Sequence, residues 1–302
     1  SIETYPEYLK FCDPEKRVKM YFVIRLNKEA ESFGAFSEAE VFKSQKDSKG
    51  TGNGMYLNFS TRKDEVVEMQ VGLSYTSIEN AKNNLLAEAT GKTFDKVKNT
   101  AHQKWNEKLG RIQVEGKDSI NKVKFYTGLY HALLGRGLAS DTNGQYIQHN
   151  GKIGQIALNS KGKPKYNHYN TDGIWGGFWN LGQLWALAYP DYQSEYIQSN
   201  LDFAKETGGL HDGVAAGAHS DGVQTNCFGL MIAATYNCGI RDFDVEEAYQ
   251  TAYKNETGYA NRPFGSGKYD LAYFVKEGYI PSKDTILSNG WSFNFGASHT
   301  LE

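Results

Sequence analysis

Hydrophobic and polar positions first alternate with a period of two. Val18, Met20, Phe22, Ile24 and Leu26 fall on one side of an extended chain, with Lys19 and Arg25 on the other, which predicts a half-buried strand. Met55, Leu57 and Phe59 repeat the pattern, as do Val67, Met69, Val71, Leu73 and Tyr75. The polar run from Ser44 to Gly54 reads as a hairpin loop. Residues 1–75 are therefore expected to be antiparallel β. Three or four strands bury too little to stand alone, so they read as the C-terminal part of a β-sandwich whose earlier strands lie outside this chain.

After Tyr75 the period lengthens. Thr76 and Glu79 have capping-box spacing and predict a helix through about Ala89. Thr93 can cap a second helix whose one face holds Phe94, Val97, Ala101 and Trp105 and which stops at Gly110. Together they predict a two-helix linker over 76–115. From 116 to 302 the pattern is helical with long loops. Val123, Tyr126, Leu129, Tyr130 and Leu133 form one stripe, and Trp175 to Tyr189 a further helix halted by Pro190. Ile197, Leu201 and Ala204 lead to a stop at Gly208-Gly209. Residues 223–238 form an almost wholly apolar helix before Gly239, Asp244 with Glu247 opens another through about Asn255, and Ser298 can cap one more. Very apolar helices alternating with amphipathic ones suggest the inner and outer rings of an incomplete (α/α)6 toroid, with an irregular helical bundle as the alternative. Helix faces left without inner partners, such as Phe228 to Ala233, are expected to be partly uncovered and to favour self-association.

The 302 residues suffice for two domains. Lys and Arg number 33 against 35 Asp and Glu, which excludes the basic footprint of a nucleic-acid binder. No apolar run approaches the roughly 20 residues needed to span a membrane. Cys12, Cys227 and Cys238 make no disulfide framework and read as buried small hydrophobes. The 20 Tyr, 16 Phe and 5 Trp stand out, because aromatic faces are platforms for the C–H faces of sugar rings, although large cores use aromatics too.

Candidate chemistry gathers in the loops. Asp141-Thr142-Asn143-Gly144-Gln145-Tyr146 predicts a tight turn; it opens as a calcium loop does but lacks the downstream Glu. Asp172 stands at a helix start beside Trp175, where it can cap the helix, bind sugar hydroxyls beside the indole face, or do both. His211-Asp212-Gly213 and His219-Ser220-Asp221-Gly222 place two imidazoles and two carboxylates on one Gly-rich stretch. They could bind a metal or substrate or exchange protons, or merely form turns and cap the next helix.

Several stretches, in order along nearly the whole chain, resemble glycoside hydrolase family 92, the calcium-dependent exo-α-mannosidases. Val71 to Leu85 is similar to the end of that family's N-terminal domain, and Phe125 to His131 to its first catalytic-domain helix. Asp141 to Tyr146, Gly239 to Asp244 with Ala248-Tyr249, Gly278 to Pro281 and Ser298 to Glu302 resemble later segments. Ile174-Trp175-Gly176-Gly177-Phe178-Trp179 aligns with the family's Leu-Trp-Asp-Thr-Phe-Arg element. Trp175 is kept, but Gly176 and Trp179 replace the Asp and Arg that hold the terminal mannose.

The resemblance implies an inverting α-mannosidase acting on glycans, with Ca2+ as cofactor and an extracytoplasmic location. It places the general acid, the carboxylates that activate water and most calcium ligands beyond residue 302. Trp175, Asp172, His211, Asp212, His219 and Asp221 are left as substrate-binding candidates, with no metal ligand assigned. A glycan-binding protein without turnover is the alternative, and polysaccharide lysis on the same barrel a third reading.

Overall fold

The computed structural model describes residues 2–4, 18–38, 40–134, 137–170, 177, 179–211, 213–215, 217–220, 227–258, 275–278, 287–288 and 291–292. Among the described residues the N-terminal part contains six strands: β1 (Ile2–Thr4), β2 (Val18–Leu26), β3 (Ser32–Ser37), β4 (Glu40–Lys43), β5 (Asn53–Asn58) and β6 (Met69–Ser74). They form two antiparallel three-stranded sheets, ordered β1-β2-β6 and β4-β3-β5. The hairpin of β3 and β4 gives no period-two signal in the sequence; it pairs Ala35 with Phe42 and Phe36 with Val41.

The register puts Ile24 opposite Val71 and Leu26 opposite Met69, so the apolar sets predicted for β2 and β6 share one face. That face is open, with Ile24, Met69, Val71 and Leu73 all exposed. Helix α1 (Ile78–Glu88) packs on the opposite face. Gly72 lets it approach: a Cβ there would strike the carbonyl oxygen of Ala81 and stand 2.7 Å from Leu85 Cβ. The cap of α1 is Ser77, whose side chain accepts from Asn80 N, and not Thr76 as the spacing suggested. Thr76 is buried and committed elsewhere.

Helices α2 (Phe94–Leu109) and α3 (Ser119–Leu133) follow, capped by Thr93 and Asp118. Only Leu129 of the predicted α3 stripe is fully buried. Two short hairpin strands, β7 (Gln145–Ile147) and β8 (Ile153–Gln155), come next. After a turn at Trp179-Asn180 come α4 (Leu181–Ala188) and α5 (Pro190–Thr207). Pro190 both ends α4 and opens α5, where its fixed φ and missing N–H are harmless at the first helical position. Gly208 closes α5 at φ 87°, a left-handed conformation that disfavours any Cβ.

Residues read as loop at 213–220 form a hairpin of β9 (Gly213–Ala215) and β10 (Ala218–Ser220). Then come α6 (Cys227–Asn237) and α7 (Val245–Thr257), the latter capped by Asp244 accepting from Glu247 N as predicted. The last described strands, β11 (Leu287–Ser288) and β12 (Trp291–Ser292), pair with each other. The helix expected after Ser298 lies outside the described residues.

The core lies among α4, α5, α6 and α7, around Trp185, Tyr189, Tyr196, Ile197, Leu201, Phe228 and Met231. Each such side chain contributes about 1.5–3 kcal/mol by leaving water. Phe228, Met231 and Ile232 are buried, so the apolar face expected to be open on α6 is mostly closed. Open apolar surface instead sits on the sheets and on the outer faces of α2 and α3, at Phe94, Ile120 and Val123. Cys227 is buried as expected, whereas Cys238 is exposed. No helix among the described residues is long and apolar enough to cross a membrane.

Candidate functional site

Helix α5 carries two parallel stripes. Gln193, Tyr196, Ile197, Asn200, Leu201 and Ala204 recur at helical spacing and face the core. Beside them run Glu195, Ser199, Asp202 and Glu206, four and three residues apart, and these bind the long segment 137–170. Glu195 Oε2 accepts from Asn167 Nδ2 and Tyr169 Oη, both at 2.8 Å. Ser199 Oγ accepts from Tyr169 N at 2.9 Å and lies 3.1 Å from His168 Nδ1. Asp202 Oδ2 accepts from Tyr166 Oη at 2.7 Å. Glu206 takes three donors from one short stretch: Tyr146 Oη at 2.8 Å and Gln148 Nε2 at 3.0 Å on Oε1, and His149 N at 3.2 Å on Oε2.

Burial raises the Asp202 and Glu206 carboxyls above their ordinary values, with the donated hydrogen bonds opposing it. Burial first, and then the facing carboxylate, raises the phenols of Tyr146 and Tyr166. For Tyr169 the causes are again burial and then Glu195. These phenols therefore stay protonated and donate. His168 is buried against the Tyr146 ring, 4.2 Å between centroids, and burial pushes its imidazole down to about 4.

A second polar cluster joins this segment to the N-terminal sheet. Asp141 is buried; Oδ2 accepts from Ser74 Oγ at 3.0 Å and from Thr76 Oγ1, and Oδ1 from Asn84 Nδ2 at 2.7 Å. Asn80 Nδ2 donates to Gln145 Oε1 at 2.6 Å, and Asn143 Nδ2 donates to Asn80 Oδ1 at 3.0 Å. Asp141 to Gln145 is the tight turn predicted, closed by Gly144 N donating to Asp141 O at 2.8 Å. Its carboxylate serves this junction and carries no calcium reading of its own.

Of the sequence candidates, Asp172, Trp175, Asp212 and Asp221 lie outside the described residues. His219 is placed by its backbone, opposite Val214 in the β9–β10 register. His211 is buried, with Nε2 2.9 Å from Thr207 Oγ1 and its ring edge-on to Phe203 at 5.3 Å. The other edge-on partner of Phe203 is His149, at 5.9 Å. His149 Nδ1 in turn lies 3.3 Å from Gly217 O at the tip of the hairpin. The structure thus brings His211 and the His219 strand together with His149, Gln148 and Glu206, none of which the sequence singled out. The tyrosine excess was their visible trace, since three tyrosine hydroxyls end on α5 carboxylates. Trp179, where the aligned family element has Arg, sits in the turn before α4 and is 66% exposed.

Among the described residues no three His, Cys, Asp or Glu side chains converge as a metal site. These residues offer calcium no cluster of carboxylates. A cleft of about 310 Å³ lies between α2 and the α4–α5 junction, lined by Trp105, Tyr189, Tyr192 and Lys104 among others. It shares no lining residue with the cluster around Glu206 and is not counted as part of the candidate site.

Residues 1–74 match the glycosyl hydrolase family 92 N-terminal domain and residues 80–302 the glycosyl hydrolase family 92 catalytic domain, so the chain belongs to glycosyl hydrolase family 92. Among solved structures it is similar to the family GH92 inverting mannosidase BT2199 of Bacteroides thetaiotaomicron, at 22% identity and TM-score 0.78, over 90% of this chain and 36% of that one. It is also similar to the GH92 α-mannosidase BT3965 of the same organism, at 19% identity and TM-score 0.74, over 88% of this chain and 35% of that one. BT3965 has also been solved in complex with mannoimidazole. The chain spans about a third of the length of these structures. No curated protein matches it.

Proposed function

We propose that this chain is part of an inverting exo-α-mannosidase acting on glycans, and that residues 137–220 furnish one wall of its cleft. The carrying observation is that the two domains of one glycosidase family match in order over almost the whole chain. The mannosidase names of the structural relatives agree with it.

In an inverting reaction one carboxylic acid protonates the leaving oxygen. A carboxylate about 6.5–9.5 Å away then activates water on the opposite face of the ring. Asp202 and Glu206 are committed to internal donors and are not that pair. The proposal puts the acid and base in segments beyond residue 302 and assigns this chain sugar positioning, through Trp175, Asp172, His211, Asp212, His219 and Asp221. It includes completion of the (α/α)6 toroid by further helices, a calcium ion held mainly outside this chain, and an extracytoplasmic location.

The test is mannose release from a panel of α-linked mannobiosides, with calcium and with chelator. This chain is compared with one extended to the length of the family members. Calcium-dependent release by the extended chain is expected. Saturable sugar binding without release by either form would transfer the assignment to a glycan-binding protein, which Gly176 and Trp179 in place of Asp and Arg favour. An unsaturated product absorbing in the ultraviolet would point to lysis.

A further inference from the structure

The β9–β10 hairpin carries His219 between His211 and Asp221, and it is seated on main chain. Gly217 at its tip lies so close to the preceding hairpin that a Cβ would stand 2.8 Å from Gln148 O and 3.0 Å from Ile147 O. His149 Nδ1 approaches Gly217 O from the same stretch. Residues 146–149 are therefore the floor under the hairpin. The hydrogen bonds that hold this floor to the helical core converge on one side chain, because Tyr146, Gln148 and His149 all donate to Glu206; the His149 ring also lies edge-on to Phe203.

We propose that Glu206 is a positioning residue: by gripping residues 146–149 it fixes the seat of the 211–220 segment and so sets where that segment stands in the glycan site. Only the last clause rests on the function proposed above. The other two carboxylates of the stripe separate this role from general support of the fold. Asp202 holds Tyr166, and Glu195 holds Asn167 and Tyr169; these donors lie on the returning limb of the segment, which meets the floor through the stack of His168 on Tyr146. Burial raises Asp202 and Glu206 alike, so an effect that came only from removing a buried charge would follow substitution of either one.

Glu206→Gln is the informative change. An amide keeps only one of the two acceptor oxygens: with that oxygen towards Tyr146 and Gln148 the nitrogen faces the His149 N–H, donor against donor, and with the amide turned over it is the Tyr146 and Gln148 donors that lose their acceptor. His149 is the floor residue that reaches Gly217. The experiment is amide hydrogen exchange on the whole 302-residue chain, comparing wild type, Glu206→Gln and Asp202→Asn. We expect Glu206→Gln to speed exchange over 146–149 and 213–220 by about ten-fold or more, while Asp202→Asn leaves 213–220 within about two-fold and both leave α7 unchanged.

Unchanged protection of 213–220 in Glu206→Gln overturns the proposal. So does an equal loss in Asp202→Asn, or a loss spread evenly over α4 to α7. Should Glu206→Gln not fold, Gly217→Ala probes the same seat from the other side, and its added methyl must loosen the same two stretches and no others. Adding an α-linked mannobioside to the wild-type sample tests the function separately. If the sugar leaves 211–220 unaltered, the glycan reading fails while the positioning result stands.

Discussion

His168 offers a sharp test of how the 137–170 segment is held. Its ring is sandwiched between Tyr146 and Ser199 and is 3% exposed. Burial lowers its pKa from 6.5 to about 4, so the folded state refuses a proton that the unfolded chain accepts. Between those values the unfolded state binds more protons, and stability rises with pH. The contribution is therefore fully present above pH 6.5 and is lost as pH falls towards 4. At about 1.4 kcal/mol per pH unit the gap amounts to about 3 kcal/mol. Asp202 and Glu206 act in the opposite sense. Their raised values mean that the fold favours their neutral forms, so acidification through the carboxylate range offsets part of the loss. The clean measurement is thus a difference. Urea unfolding of wild type and His168→Phe should be followed at pH 7, 6, 5 and 4. The phenyl ring keeps the stack on Tyr146 and does not titrate, so the wild type should lose about 3 kcal/mol relative to the variant over that range. Parallel stability curves for the two proteins would refute the reasoning and mean that the imidazole protonates in place.

Asp141→Ala leaves the donors of Ser74, Thr76 and Asn84 without their acceptor in a buried junction; it should cost about 3–5 kcal/mol in denaturant unfolding, and a loss under about 1 kcal/mol would show that water replaces the carboxylate. Arg111→Ala is the contrasting case. Arg111 makes a two-pronged pair with Asp191 at 2.7 and 3.1 Å, tying the end of α2 to the start of α5, and holds the Asp191 carboxyl down at about 2. The pair is open to solvent, so its loss should cost about 1 kcal/mol or less and should shrink further in high salt. Gly72→Ala should displace α1 from β6 and cost about 1–3 kcal/mol, read as earlier melting with faster amide exchange confined to α1 and β6.

Elements with a long period or a distinct stop signal were legible from sequence. The strands β2, β5 and β6, the caps of α2 and α7 and the left-handed close of α5 all lie where alternation, Thr93, Asp244 and Gly208 put them. The paired strands of three residues, β7 with β8 and β9 with β10, were not legible. They are too short to show alternation, and their pairing is carried by main chain. The cap of α1 slipped by one residue because Thr76 and Ser77 are chemically equivalent caps. What decides between them is Asp141, some 65 positions away, which claims the threonine hydroxyl. The carboxylates of α5 gave no sequence signal for the same reason. Acids at helical spacing read as a solvated face, and the hydroxyls and amides that bury them arrive from 26 to 60 positions away.

Two of the stretches that resemble the family, 71–85 and 141–146, are halves of one hydrogen-bonded unit. Ser74, Thr76, Asn80 and Asn84 from the first close on Asp141, Asn143 and Gln145 from the second. A contact set this specific in donor and acceptor tolerates few exchanges, because each buried partner left unpaired costs its full desolvation. Tyr146 is the next residue along; it leaves this junction and ends on Glu206, beneath the hairpin that carries His219. A continuous run of directed bonds therefore leads from the N-terminal sheet, through Asp141 and Tyr146, to the floor of the candidate site. Unlike an apolar interface, which permits small sliding, such a run fixes orientation as well as distance. The sheet then has a physical role in the site: Val18 of β2 packs against Ile147 of the floor, and the junction at Asp141 anchors one end of the segment whose other end Glu206 holds in place.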